Sequence, residues 1–210
     1  KEAGVRTLVL QTMLNTPKST WAIKDLAKIQ AMVQMVRTLE DRNFTVVVQP
    51  RAGLDFFPPD PDLARVRLAS VSAMMDDIEP QNPQGPAIIH VVSHSEASNL
   101  ADPDVMLESI RICRHAITHY RKEKSRDSVP DLRQDPHLTY LRQTLITESR
   151  LVLKTIEETI PEPYSPDGFY QILKAGFLPV PDLWECREEF GEATKWRTGL
   201  RSGSIRVIDA

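Results

Sequence analysis

The chain is short of cysteine, of long apolar runs and of charge of one sign. Cys113 and Cys186 are the only cysteines in 210 residues, lie far apart and form no CxxC pair. That argues for a reducing compartment and for thiols that are structural and inert. No apolar run approaches the about 18–20 residues of a membrane span, and no signal peptide is visible, so a cytoplasmic protein is expected. The 26 basic and 29 acidic residues are mixed along the chain, with a net charge of −3 and a pI near 6.0. No single-sign field advertises nucleic acid or an anionic membrane as a partner. There is no GxGxxG and no GxxxxGK[ST] to cradle a nucleotide phosphate. No GxSxG elbow surrounds Ser93 or Ser95, which disfavours a hydrolase nucleophile. Low-complexity segments are absent too.

What is present is a chain with 41% hydrophobic residues, enough for a real core. It opens "KEAGVRTLVLQTML", with Lys1 in place of a methionine and a first strand over residues 8–10 that follows what reads as the tail of a helix. That opening points to a piece of a longer polypeptide. Thr20 is placed to cap a helix whose apolar positions Ile23, Leu26, Ala27, Ile29, Met32, Val33 and Val36 recur at helical spacing. "FTVVVQP" reads as a second strand, ended by Pro50. The loop "PRAGLDFFPPDPD" then feeds a helix over residues 61–78, with Leu63, Val66, Val71 and Met74 on its inner side. After the turn "QNPQGP", "AIIHVV" reads as a third strand. Asp102 then caps a helix with Val105, Met106, Ile110, Cys113 and Ile117 directed inward.

Three strand-helix units with near-continuous apolar strands predict a parallel sheet covered by helices on right-handed crossovers, either a barrel or a doubly wound sheet. In both, functional groups collect on the loops after the strands' carboxyl ends. Residues 122–136 turn charged and proline-bearing, an exposed connection before a long amphipathic helix through Leu141, Leu145, Ile146, Leu151, Leu153 and Ile156. A shorter helix, "GFYQILKAG", stops at Gly176. The tail that follows reads as an irregular cap ending in a strand-like "SIRVID". The expected division is a partial barrel over residues 1–122 and a helical extension with a cap over 123–210.

Glu96, just past the third apolar run, is the first candidate site residue. A carboxylate there can accept hydrogen bonds from two vicinal hydroxyls of a sugar, and equally it can be a surface residue or a cap partner for the next helix. His90 and His94, and His115 and His119, are each spaced by four, but neither pair has an HExxH pattern or cysteines at zinc spacing, so no metal site is expected. His94 is a candidate ligand contact, and the helix pair is expected to face solvent. Phe56 and Phe57 form an aromatic pair ahead of two prolines, either packing on the neighbouring helix or walling a flat ring.

Four stretches together resemble the carboxyl-terminal half of the catalytic large subunit of glutamate mutase (methylaspartate mutase). They are "EAGVRTLVLQ" with "AIKDLAKI", then "VVVQPRAGLDFFPPDPDLA", then "AIIHVVSHSEASNLADPDVMLESIRICRHAI", and finally "LKAGFLPVP" with "GLRSGSIRVID". The resemblance spans nearly the whole chain, through short and degenerate motifs. It implies the later strand-helix units of a TIM-type barrel followed by a helical and irregular tail. The implied activity is an adenosylcobalamin-dependent isomerase that rearranges an amino acid or related small acid by radical chemistry. Its implied partner is a small cobalamin-binding subunit or domain, within an oligomer.

The resemblance also carries site residues. Glu96 matches the glutamate that binds the ribose hydroxyls of the adenosyl group. Phe57 or Phe56 matches a phenylalanine towards the cofactor, and Leu100 matches an apolar contact four residues beyond the glutamate. The family's lysine four residues before that glutamate is replaced by Val92, a departure that His94 could offset only in part. The alternatives are a non-catalytic or regulatory barrel of the same family, or an unrelated barrel enzyme acting on a small carbonyl compound.

Overall fold

A computed structural model of the chain describes residues 1, 3–17, 20–201 and 204–209. The chain divides into two compact units, Lys1–Gln143 and Thr144–Ala210. In the first, β1 (Thr7–Leu14) and β2 (Thr45–Ala52) pair in parallel, in the register Thr7↔Thr45 through Leu14↔Ala52, and α1 (Ile23–Arg37) connects them. Residues 3–6 ahead of β1 are not helical. Thr20 does not cap α1. The residue before the helix is Ala22, and the Thr20 hydroxyl is spent on Asp25 and on the Pro17 carbonyl.

The expected barrel does not form. Among the described residues there are only two sheets, β1–β2 and β3–β4, each of two strands. The segment expected as a third strand runs beside β2 with a single backbone bond, His90 N–H to Pro50 O at 3.0 Å. The physical reason lies in Pro50. The amides of Thr45 and Gly53 donate to Arg6 and Leu14, so odd-numbered residues of this strand face β1 and Pro50 faces the other way. A parallel bridge there needs an N–H at position 50 to answer the carbonyl of Ile88, and proline has none. Pro50 therefore does not end β2, which continues to Ala52. It caps the sheet sideways, as proline does at sheet edges.

Two further helices complete this unit. α2 (Pro61–Met75) starts at Asp60, whose carboxylate accepts from Leu63 N–H at 2.8 Å. α3 (Pro103–Ser125) starts at the expected Asp102, which accepts from Val105 N–H at 2.8 Å. The inner face of α2 is Ala64, Leu68, Val71, Met74 and Met75, while Leu63 and Val66 are exposed. On α3, Ser109 and Cys113 are buried, whereas Met106 and Ile110 are exposed. Cys113 and the inner face of α2 join Leu14, Leu26, Ile29, Val48, Phe57, Ile78, Val92 and Leu138 in one core. Cys113 is free and its thiol is pushed up by burial, in keeping with an inert core residue. Cys186 is also free but exposed.

Contacts between α2 and α3 rise in step along both helices. Arg65 meets Glu108, Ser72 meets Cys113 and Asp76 meets Arg121, so the two helices run parallel. At their carboxyl ends sit two carboxylates with almost no solvent access, Asp76 and Asp77 at 3% and 0% exposure. The negative end of the α2 dipole adds to their desolvation cost. Lys124 Nζ answers both, at 2.9 Å to Asp76 and 2.6 Å to Asp77. Arg121 donates to Asp76 at 2.7 Å, and the Tyr120 hydroxyl donates to Asp77 at 2.6 Å. Burial still pushes the Asp77 carboxyl up, against the opposing pull of Lys124 and Tyr120. The stretch expected as an exposed connection thus holds a lysine, Lys124, whose side chain is buried.

α4 (Pro136–Thr159) begins in the first unit. In the second unit, α5 (Pro166–Lys174) is capped by Ser165 Oγ on Gly168 N–H at 3.0 Å. Gly176 follows with φ +76, the left-handed stop expected there. Ile156, Ile160 and Ile172 make a small core with Phe177 against it. The tail is more regular than expected. It holds a short α6 (Gly191–Thr194) and an antiparallel pair, β3 (Arg197–Arg201) with β4 (Ser204–Asp209). No described helix is long and apolar enough to cross a membrane.

Two outcomes test this account. Lys124→Ala should destabilise the protein by about 3 kcal/mol, the low end of the cost of breaking a buried ion pair because Arg121 remains. The triple variant Asp76→Asn, Asp77→Asn, Lys124→Met should recover much of that loss in a urea titration. Pro50→Val should give the new amide at position 50 measurable protection from hydrogen exchange, since one bridge to residue 88 can then close. An amide exchanging at the open-chain rate would show that Pro50 does not limit the sheet.

Candidate functional site

β1 and β2 leave their sheet side by side. Gly53 N–H donates to Leu14 O at 2.8 Å, and a Cβ on Gly53 would lie 2.9 Å from Asn15 O and closer still to the Thr16 hydroxyl. Only glycine lets the two exits pass this closely. The loop after β1 is tied down by Asp25, wholly buried, which accepts from Asn15 N–H at 2.8 Å, Thr20 Oγ1 at 2.7 Å and Lys28 Nζ at 3.0 Å. Sequence reading missed Asp25, because its partners are split between a loop and a helix.

The loop after β2 holds the aromatic pair. Phe57 is 5% exposed and belongs to the core. Phe56 stacks on Trp21, with centroids 5.7 Å apart and 20° between planes, and the Arg67 guanidinium lies 5.1 Å from its ring centroid. Packing therefore accounts for both rings. Glu96 is exposed, and its Oε2 accepts from the Ser93 N–H of its own loop at 3.2 Å. Leu100 is fully exposed, and Val92 is buried at 1%.

His94 is the candidate that tertiary packing treats most specifically. Its side chain is 3% exposed, and its backbone N–H donates to Ser109 Oγ at 3.3 Å. Nε2 lies 2.8 Å from Glu108 Oε2. Arg65 holds the same carboxylate through Nε at 2.8 Å and Nη2 at 3.2 Å, and reaches Asp62 at 3.1 Å. Arg65, and after it His94, keep Glu108 below the usual glutamate range, and Glu108 in turn raises the Arg65 guanidinium. His94 Nδ1 is buried with no hydrogen-bond partner.

His94 is among the residues lining a cleft of about 290 Å³, with Pro58, Pro59 and Pro61 from the loop after β2 and the start of α2, Ser98, Asn99 and Leu100 from the loop after residue 92, and the charged Arg65 and Asp102. The structure thus brings His94 and Leu100 together and leaves Glu96, Phe56 and Phe57 outside the cleft lining. Glu108 and Ser109 were not legible as site residues, since only the packing of α3 against the loop brings them to His94, and Arg65 reaches Glu108 only through the pairing of α2 with α3. His115 and His119 are exposed, with parallel rings 6.1 Å apart. Among the described residues no group of three or more His, Cys, Asp or Glu side chains is placed to hold a metal ion.

No protein-family model, no curated protein and no solved structure matches this chain.

A titration reads the Arg65–Glu108–His94 chain. In ¹³C NMR the Glu108 carboxyl should titrate below the ordinary glutamate range, and Arg65→Ala should move it back up, because the largest stabilising bond to the ionised form is then gone. An unmoved midpoint would mean that Arg65 does not hold that carboxylate in solution.

Proposed function

We propose that this chain takes part in an adenosylcobalamin-dependent carbon-skeleton rearrangement of the glutamate (methylaspartate) mutase type, acting on an amino acid or related small acid. The observation that carries the reading is the cleft. The two loops in which the sequence resembles that family, after β2 and after the extended segment, are the two that bound it. Both follow chain segments running in one direction, where parallel α/β proteins place ligands. A small cobalamin-binding subunit or domain is the proposed partner, within an oligomer in the cytoplasm.

In this reading the loop after residue 92 takes the adenosyl arm, with Glu96 just outside the cleft lining. Glu96 is solvent-accessible on the loop that borders the cleft, and its hydrogen bond to Ser93 engages Oε2, so Oε1 is the acceptor offered to ribose hydroxyls. Leu100, on the same loop and in the cleft lining, offers apolar surface. When bound, the cofactor supplies the radical chemistry through its cobalt–carbon bond. The part of this chain is to hold the arm in one orientation and to keep water from it, with the proline wall as the dry side. Phe56 and Phe57 support the loop in this reading by packing under it.

One observation favours a second reading, a non-catalytic member of the same family. Val92, at the family's lysine position, is a core residue, so the ribose has no ammonium there.

Glu96→Gln separates these roles. With the partner present, the variant should lose about 1.5–3 kcal/mol of affinity for adenosylcobalamin, the worth of hydrogen bonds to a charged group. Its affinity for methylcobalamin, which has no adenosyl ribose, should stay unchanged, and so should its melting temperature. Equal losses for both cobalamins, or none, would remove Glu96 from ribose binding. Tight adenosylcobalamin binding without turnover of any tested acid would favour the non-catalytic reading.

A further inference from the structure

A cavity of about 430 Å³ in the first unit is lined by the second half of α1, by residues 78–81 beyond the carboxyl end of α2, and by Arg142 of α4. The cleft described above lies instead at the starts of α2 and α3. Three of the lining residues are charged, Arg37, Glu79 and Arg142. Glu79 is 4% exposed and pairs with Arg37, whose Nε is shut off from solvent, so these two charges cancel. The charge left over is that of Arg142. Its Nη1 donates to Gln30 Oε1 at 3.1 Å, and the Gln30 amide, itself 3% exposed, donates to Asp77 O at 2.9 Å. A buried residue therefore fixes where this half-buried guanidinium sits. Among the described residues no carboxylate pairs with Arg142, and none of its nitrogens is a buried donor without a partner, so the N–H groups that Gln30 does not take are open to solvent. A guanidinium held in this way, with its Nε and Nη2 edge open, presents two parallel N–H groups at the spacing of two carboxylate oxygens.

We propose that this cavity binds a small organic acid carrying one carboxylate, gripped by Arg142, with Gln30 as the positioning residue. Val33, Ile78 and Pro80 supply apolar lining for the carbon skeleton, and the amides of Gln34 and Gln81 complete the polar part. The volume lies within the range of about 300–1,000 Å³ usual for small-molecule sites. One uncompensated positive charge matches one carboxylate, whereas a doubly charged anion such as phosphate would bring surplus negative charge beside buried Glu79. The bound acid would tie α1, the segment after α2 and α4 together at the end of the unit away from the cleft. The site rests on the Arg142–Gln30 geometry and on the charges of the lining, not on the isomerase reading.

The experiment is ¹⁵N NMR of the whole chain labelled at arginine, with butyrate as the probe and butyramide and inorganic phosphate as its comparisons. Butyrate should shift the Arg142 Nε–H resonance saturably and raise the melting temperature. Butyramide, which has the same shape without the charge, should do neither. Arg142→Lys keeps the positive charge but loses the paired N–H groups, and should weaken butyrate binding about tenfold, the worth of one hydrogen bond to a charged group. Gln34→Glu places a negative charge in the lining at an exposed position and leaves Arg142 on Gln30, so it should weaken butyrate binding without unfolding the protein, which keeps the test open if the arginine variant folds poorly. No saturable shift at Arg142, equal binding of butyramide, tighter binding of phosphate than of butyrate, or a butyrate response that Gln34→Glu leaves unchanged would overturn the proposal. Glu96→Gln should leave the butyrate response as it is, so failure of the isomerase reading and failure of this site are told apart.

Discussion

Two adjacent carboxylates, Asp76 and Asp77, are buried at the carboxyl end of α2, where both desolvation and the helix dipole oppose them. Such a pair is tolerable only if cations are delivered to one place, and here Lys124 and Arg121 of α3 supply them. The Asp77 backbone carbonyl also accepts from Gln30 of α1, and Gln30 in turn accepts from Arg142 at the start of α4. Glu79, two residues further on, pairs with Arg37 at the end of α1. One charged cluster thus sets the register of four helices. An apolar contact could slide by a residue at little cost, whereas a misplaced buried charge could not.

That register reaches the other end of the same helix pair. Because α2 and α3 run parallel, fixing Asp76 against Arg121 carries Arg65 to Glu108, the carboxylate that Nε2 of His94 also meets. The candidate site therefore depends on a lock built from other residues at the far end of these helices. The division matches the usual economy of parallel α/β units, in which one end of the strands serves stability and the other carries the ligand. Gly53 works to the same end by letting the exits of β1 and β2 cross at close range, which gathers the loops on one side.

Local features of this fold were legible in the chain because their causes are local. Asp102 caps α3 and Gly176 stops α5 through bonds and backbone angles set within a few residues. α1 is a helix because its apolar residues recur at helical spacing, and "TVVVQ" is a strand because β-branched residues favour it. The inward faces were read less well. Val66 and Ile110 follow the helical period but lie exposed, whereas the pairing of α2 with α3 buries small side chains such as Ser72 and Cys113, which meet each other. The missing third strand was written in the sequence at Pro50, yet its effect depended on which edge the absent N–H would face. Only pairing with β1 decides that.

By itself, then, the sequence determined where α2 and α3 begin and where α5 stops, that β1 and β2 are strands, and that the loops after β2 and after residue 92 carry the unusual residues. It also placed His94 among the candidates. Tertiary structure alone decided that the sheet stops at two strands, that Phe57 is core, that Glu96 bonds to its own loop, and that His94 meets a Glu108 held by Arg65. The reason is one of range. Caps, turns and periodicity are energies between near neighbours in the chain, while burial, charge pairing and the fate of an unpaired ring nitrogen are settled by groups tens of residues apart.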